Sequence, residues 1–443
     1  DDLAFWVKKG FACAAFDWQV GLFDHDPKRK SGWPAGVVLQ SEPFSSFSQF
    51  IIPLAVEAVG VVIDWASSFP TVDRLRIGMT GISWGGYLTW VANAYEPRLK
   101  CAAPVYGCGG LFAEDRPGGA PRVSDDAAAQ WQANWEPLSL AARQLSPVCW
   151  ISGTNDFFGL PKDADAIMAQ LLVPHRRSHG PNLNHALFPE DVETVVAWMR
   201  HYLAGGPALP EEPQWMPGGL QVDRREEVES IEEWWTPSSG ASEDLCWWPG
   251  VALNDAQARL SRVRYRSGIA LTTPVQRLKP SQAASTLGDL WPDARAGLGY
   301  SNLARGTQLH GATIRLESHP GDACRSRLGV VDGTASPMII LRQFSDPRFI
   351  CHGFSGLKLG LAPATSLPRK LNIVVRVSLS DEGGERGEFR GQVDVAGNGA
   401  VELSLQTLSF MPKDVQWNQI LSVWLDGFLS LPLEIGPILR LRE

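Results

Sequence analysis

The sequence predicts an α/β chain in two parts, a mostly parallel, doubly wound sheet over residues 1–204 and an all-β sandwich over residues 225–443. Three observations carry this. Up to about residue 205, short apolar runs alternate with segments of helical period, the pattern of strands joined by covering helices. Beyond residue 220 the period falls towards two, with Gly, Pro and Asp in the turns, as in an antiparallel sandwich. Between them, residues 205–220 hold four Pro and four Gly, a composition that continues neither helix nor central strand, so residues 205–224 are expected to be a linker. A length of 443 residues also exceeds the roughly 100–200 of one domain.

In the first part, strands are expected at 11–17, 74–82, 100–105, 147–152 and 176–183. Most are almost continuously apolar, as strands covered on both faces must be; the last is polar. Amphipathic helices are expected at 50–67, 85–95, 161–172 and 189–204, the first from the spacing of Ile51, Leu54, Ala58, Val61, Val62 and Trp65. In the second part, runs beginning at Met338, Leu371, Ala400 and Ile435 alternate as half-buried strands do. No repeat of fixed period is present.

Composition excludes several classes. A formal net charge of −8 disfavours a surface that tracks phosphates, so no nucleic-acid partner is expected. No run approaches the ~18 apolar residues of a membrane span. Seven Cys without a Cys-x-x-Cys pair support neither zinc nor a redox motif, and the odd number precludes complete intrachain pairing. The chain opens on Asp1, without Met, directly in helix-like residues 3–9. The expectation is therefore that strands normally preceding this helix are absent, leaving one sheet edge bare. A signal peptide would lie upstream, so the compartment is open.

The chemistry centres on Gly81-Ile82-Ser83-Trp84-Gly85-Gly86, which follows an apolar run and precedes a helix-like one. Gly-x-Ser-x-Gly alone is a weak signal. The flanking strand and helix supply the context in which a sharp turn holds a serine exposed for attack, with Gly81 and Gly85 expected to give it room. The helix start aims amides at the developing oxyanion, with the Trp84 N–H as one donor. The second donor would come from a loop ahead of the first helix, which is expected to be missing.

A serine hydroxyl needs a base, and the base needs an orienting acid. In chain order Ser, acid, His, the candidates are Asp156, just past the apolar run 148–151, and His185. Asp156 could instead start a turn with Asn155. His179 and His175 compete with His185, but His179 falls inside the expected strand and His175 before it. His185 lies just beyond, where a loop carries imidazole over the sheet edge.

Residues 81–87, 103–109, 153–158 and 181–185 resemble the acetyl xylan esterase and dienelactone hydrolase branches of the α/β-hydrolases, and more loosely prolyl oligopeptidase catalytic domains. The resemblance spans residues 1–204. It implies Ser83, Asp156 and His185 as a catalytic triad; separately, no cofactor or metal is expected. It also implies a small-molecule or carbohydrate ester as substrate, with deacetylation of a carbohydrate as the specific expectation. The competing readings are a prolyl oligopeptidase-type peptidase, whose accessory domain usually precedes the catalytic one, and a non-catalytic carbohydrate-binding protein on a degenerate hydrolase. The second part resembles a sugar-binding jelly-roll, and Trp417 and Trp424 are either sugar platforms or core. Residues 110–135 are expected to cap the pocket, with Trp84, Tyr106 and Trp131 as aromatic wall or core. Asp24-His25-Asp26 has metal-ligand residue types, yet its setting beside Pro27 and Lys28-Arg29-Lys30 reads as a solvated turn.

Overall fold

Among the described residues of the computed structural model, the first 204 form four strands and seven helices: α1 (Asp2–Lys8), α2 (Ile51–Ser67), β1 (Ile77–Ile82), α3 (Trp84–Asn93), β2 (Leu99–Val105), α4 (Asp125–Asn134), α5 (Pro137–Leu140), β3 (Val148–Gly153), α6 (Pro161–Met168), β4 (His175–Gly180) and α7 (Pro189–Ala204). The structure describes residues 2–16, 51–110, 125–159, 161–237, 245–279, 298–301, 314–319, 322–330, 338–342, 354–362, 367–378, 386–404, 407–412, 415, 419–426 and 433–442. The strands line up as β1-β2-β3-β4, with β1 and β2, and β2 and β3, paired in parallel. Among the described residues β1 is an end strand. No helix of the described residues is long and apolar enough to cross a membrane.

By contacts the chain divides into two compact units. One comprises Asp1–Ile151, Phe157–Arg177 and Glu193–Glu212; the other comprises Ser152–Asp156, Ser178–Val192 and Pro213–Glu443. This division differs from the composition shift near residue 205, because residues 152–156 and 178–192 cluster with the C-terminal part and residues 205–212 with the first.

In the first unit, the helical period of α2 buries Ile52, Ala55, Val59 and Ile63 along one stripe, the first against Tyr87 and Val91 of α3 and the other three against Leu88 and Ala92 of α3 and Leu99 of β2. In β2 only Lys100 is exposed, and every residue of β3 is buried, which explains their unbroken apolar sequence. The polar strand β4 survives burial because its charges are paired. Arg177 Nε lies 3.1 Å from Glu212 Oε2 and its guanidinium also meets Asp165; Arg176 lies 2.7 Å from Glu211. One expectation fails: residues 11–16 form no strand. Residues 12–15 are exposed, and an apolar run becomes a strand only where a neighbour takes up its backbone groups and covers its faces. The solvated turn expected at Asp24, His25 and Asp26 and part of the expected cap, residues 111–124, lie outside the described residues. The rest of the cap stretch holds α4.

Glu212 gives this unit a pH response. Burial raises its carboxyl above the ordinary 4.5, and the nearby Arg177 offsets this only in part. A carboxyl whose folded value is raised adds stability below 4.5, and that contribution disappears as pH rises through its folded value. Glu212→Gln should therefore flatten the dependence of unfolding temperature on pH between 4.5 and that raised folded value. Parallel curves for the two proteins would contradict the assignment.

In the second unit, Val228–Thr236 pairs with Ala258–Tyr265, flanked by Trp248–Pro249 and Ala270–Thr272. Two five-stranded antiparallel sheets follow. The first runs in the order Leu298–Ser301, Met338–Leu341, Ile420–Asp426, Lys370–Ser378, Arg386–Asp394. The second is ordered Ile314–His319, Asp322–Val330, Leu433–Arg442, Phe354–Ala362, Ala400–Ser404. Period two is plain in Leu371, Ile373, Val375 and Val377, all buried in one core with Leu357, Leu359, Val401 and Leu403 of the other sheet. Within the expected linker, Gln214–Met216 and Gly219–Gln221 form a hairpin, and the Arg259 guanidinium sits 3.7 Å from the Trp215 ring centre. Trp424 is half-buried, donates to Ser422 Oγ at 2.9 Å, and has the Arg376 guanidinium 5.6 Å from its ring centre. Trp417 lies outside the described residues.

Candidate active site

Where β1 ends, the backbone turns at Ser83 with φ 60° and ψ −119°, and α3 starts at the next residue. A side chain in that region costs on the order of 1–3 kcal/mol of strain and persists only where its surroundings enforce it. They do so here. The Ser83 N–H donates to Val105 O at 3.0 Å, and the Ser83 carbonyl accepts from the Tyr87 N–H at 3.0 Å. A Cβ on Gly81 would lie 2.4 Å from Gly85 O, and one on Gly86 would lie 2.3 Å from Val105 O. Gly85 departs from expectation: a Cβ there meets nothing within 4 Å, so room at the turn comes from Gly81 and Gly86. The backbone of residue 85 matters as the wall that Gly81 must approach.

Gly81→Ala should therefore lower the unfolding temperature or expel Ser83 from its turn, whereas Gly85→Ala should be far milder. Equal tolerance of the two in thermal unfolding would count against this geometry.

The Ser83 side chain makes no capping hydrogen bond to α3, so the hydroxyl is not consumed in ending the helix. Trp84 opens the helix, and a first-turn N–H has no acceptor within it. The indole of Trp84 packs 4.8 Å from the Phe158 ring and 5.5 Å from that of Tyr87. Trp131 is buried in the same cluster, its ring 5.9 Å from Tyr87. Tyr106 is buried as well, at φ 62°, with its carbonyl accepting from Trp150 Nε1 at 2.7 Å.

Asp156 follows the end of β3 and is fully buried. Its Oδ2 lies 2.7 Å from Nδ1 of His185, which sits five residues past the end of β4 at φ 51° and is 7% exposed. The structure thus brings Asp156 to His185. Of the rivals, His175 Nδ1 lies 3.1 Å from Val173 O, while His179 is buried within β4. With Nδ1–H donating to the carboxylate, the lone pair is on Nε2. The serine turn belongs to the first unit and the acid–base pair to the second.

The sequence reading missed what surrounds the pair. Thr154, Asn155 and Asn182 are all buried and hydrogen-bonded across the two loops. The signal was present as carboxamides at 155, 182 and 184, beside Asp156 and His185. Cys101, Cys108, Cys149 and Cys246 are buried, and burial pushes the Cys101 thiol up to about 12.

Residues 51–155 match the model of the X-Pro dipeptidyl-peptidase (S15) family. The chain is also 27% identical over 128 residues to "Putative carboxymethylenebutenolidase" of Methylorubrum extorquens, covering 29% of this chain and 37% of that protein. The chain therefore spans little over a third of the length of that curated relative. An acetyl xylan esterase from Paenibacillus sp. R4 aligns at 18% identity and TM-score 0.32, over 36% of this chain and 55% of its own. A puromycin-hydrolyzing peptidase of Mycobacterium tuberculosis aligns at 21% identity and TM-score 0.29, over 35% and 25%.

Proposed function

We propose that this hydrolase cleaves carboxylic esters through an acyl-enzyme at Ser83. The observation that supports it best is the buried 2.7 Å contact between Asp156 Oδ2 and His185 Nδ1, in a chain whose Ser83 occupies a strained strand-to-helix turn. In the proposed reaction His185 Nε2 removes the Ser83 proton as Oγ attacks the carbonyl carbon. Asp156 holds the imidazole in the right tautomer and steadies the imidazolium that forms. The Trp84 N–H donates to the oxyanion. His185 then protonates the departing alcohol, and water, deprotonated by the same nitrogen, releases the acid and restores Ser83.

The proposal extends to the substrate, a short acyl group such as acetyl on a carbohydrate, with Tyr106 and Trp131 in the aromatic layer behind the acyl site. It also takes residues 225–443 as a jelly-roll accessory domain after the 205–224 connection. The match to the X-Pro dipeptidyl-peptidase family favours a second reading, a peptidase with the same triad. A panel of para-nitrophenyl acyl esters and proline-containing peptide amides separates the two. Ester turnover is expected; cleavage of amides without esters would replace the esterase reading. A fluorophosphonate probe, which needs an activated serine, tests the shared premise. Failure to label the full chain would leave a non-catalytic carbohydrate-binding protein as the better account.

A further inference from the structure

The candidate acid and base stand on two loops that lack regular structure of their own, so something else must hold them. Residues 152–156 and 178–192 belong to the same compact unit as the C-terminal β region. Gly153 lets them meet, since a Cβ there would lie 2.1 Å from Leu183 O. Across that approach Thr154 N–H donates to Gly180 O at 2.9 Å and Asn155 N–H to Leu183 O at 3.0 Å. Thr154 Oγ1 accepts from the Asn182 N–H at 2.9 Å and donates to Asn155 Oδ1 at 2.8 Å.

Both asparagines then reach one short stretch of the C-terminal part. Asn155 Nδ2 donates to Leu245 O at 2.8 Å. Asn182 Nδ2 donates to Trp247 O at 2.9 Å, while its Oδ1 accepts from the Trp247 N–H at 3.1 Å. The Asn182 carbonyl accepts from Arg342 Nη1 at 2.9 Å, and its backbone is left-handed at φ 58°, a conformation Asn tolerates better than most residues. Every polar group of Asn182 is thus engaged, three residues before His185. On either side of that histidine, Leu183 and Ala186 are buried in the core that includes Trp235, Trp248, Ile339 and Leu341.

We propose that Asn155 and Asn182 are positioning residues through which residues 245–247 fix the Asp156–His185 pair, so that the C-terminal β region is a working part of the catalytic site. The proposal rests on the serine-hydrolase reading for its kinetic consequence, but its geometric content is independent of it. A buried carboxamide bonded at both ends fixes a loop in one register; without it the loop samples others. Displacement of a catalytic group by about 1 Å costs roughly a hundredfold in rate.

The test uses the full chain in three variants. Asn182→Gly keeps the left-handed backbone accessible and removes only the carboxamide. Asn182→Asp keeps the acceptor for the Trp247 N–H and loses the donor, and Asn155→Ala releases Leu245 O. Two readouts are taken on folded protein: the rate of fluorophosphonate labelling, and the far-downfield proton resonance of the His185 Nδ1–H bonded to Asp156, followed with 15N-histidine. Labelling is expected to slow about a hundredfold in Asn182→Gly, with a shifted or broadened resonance and a smaller effect in Asn182→Asp. A purely structural role would lower the unfolding temperature while leaving both readouts as in wild type, and that result overturns the proposal. If wild type fails to label yet the resonance responds to the variants, the hydrolase reading falls and the positioning stands. Normal labelling with an unmoved resonance keeps the hydrolase reading and removes the positioning role.

Discussion

Ser83→Ala should abolish turnover and fluorophosphonate labelling while leaving the protein folded. The substitution removes one oxygen. Ser83 Oγ does not cap α3, and Ser83 is 3% exposed, so little packing is lost and no helix end is freed. The backbone at φ 60° is as awkward for alanine as for serine, and the clamps on it, Val105 O and the Tyr87 N–H, are main-chain groups that remain. The unfolding temperature should therefore change little. Chemistry has no such substitute. Loss of the nucleophile from a serine triad reduces kcat on the order of a millionfold, the remainder coming from the oxyanion donors and binding. Residual turnover above about a tenth of wild type would assign the attack to another group.

The serine turn was legible in the sequence because its requirements are local. A strand, a glycine at 81 and a helix starting at 84 are all within ten residues, and each is fixed by backbone sterics that sequence records directly. The role of Gly85 was misread for the complementary reason. The motif gives residue types, but which glycine faces a neighbour depends on where the Gly85 carbonyl and β2 come to lie, and those are tertiary facts. Likewise the apolar run at 11–16 carries the composition of a strand, yet strand formation needs a partner, which composition does not specify. The candidate acid and base were chosen from chain order. Their support was not, since Asn155 and Asn182 bond to residues 90 and 65 positions away, and no local periodicity encodes a loop held by a distant backbone.

Asp156→Asn should cost turnover about ten-thousandfold, and the physical reason is the tautomer. Asp156 Oδ2 accepts from His185 Nδ1, which leaves the Nε2 lone pair free to take a proton. A carboxamide at 156 is nearly isosteric, so the buried site should still pack. It can present its NH2 to Nδ1, however, and the imidazole proton then moves to Nε2, where the base must be bare. The change should be visible in the 15N shifts of His185 as an exchange of protonated nitrogens, without loss of fold. His185→Ala removes the base outright and should cost more. Neither loss should add to that of Ser83→Ala, because a base and its orienting acid have nothing to act on once the hydroxyl is gone. Double variants that multiply the single losses would mean that the three side chains act separately and that Asp156 and His185 form a structural ion pair beside an unrelated serine turn. Double variants no worse than Ser83→Ala alone would make them one catalytic unit.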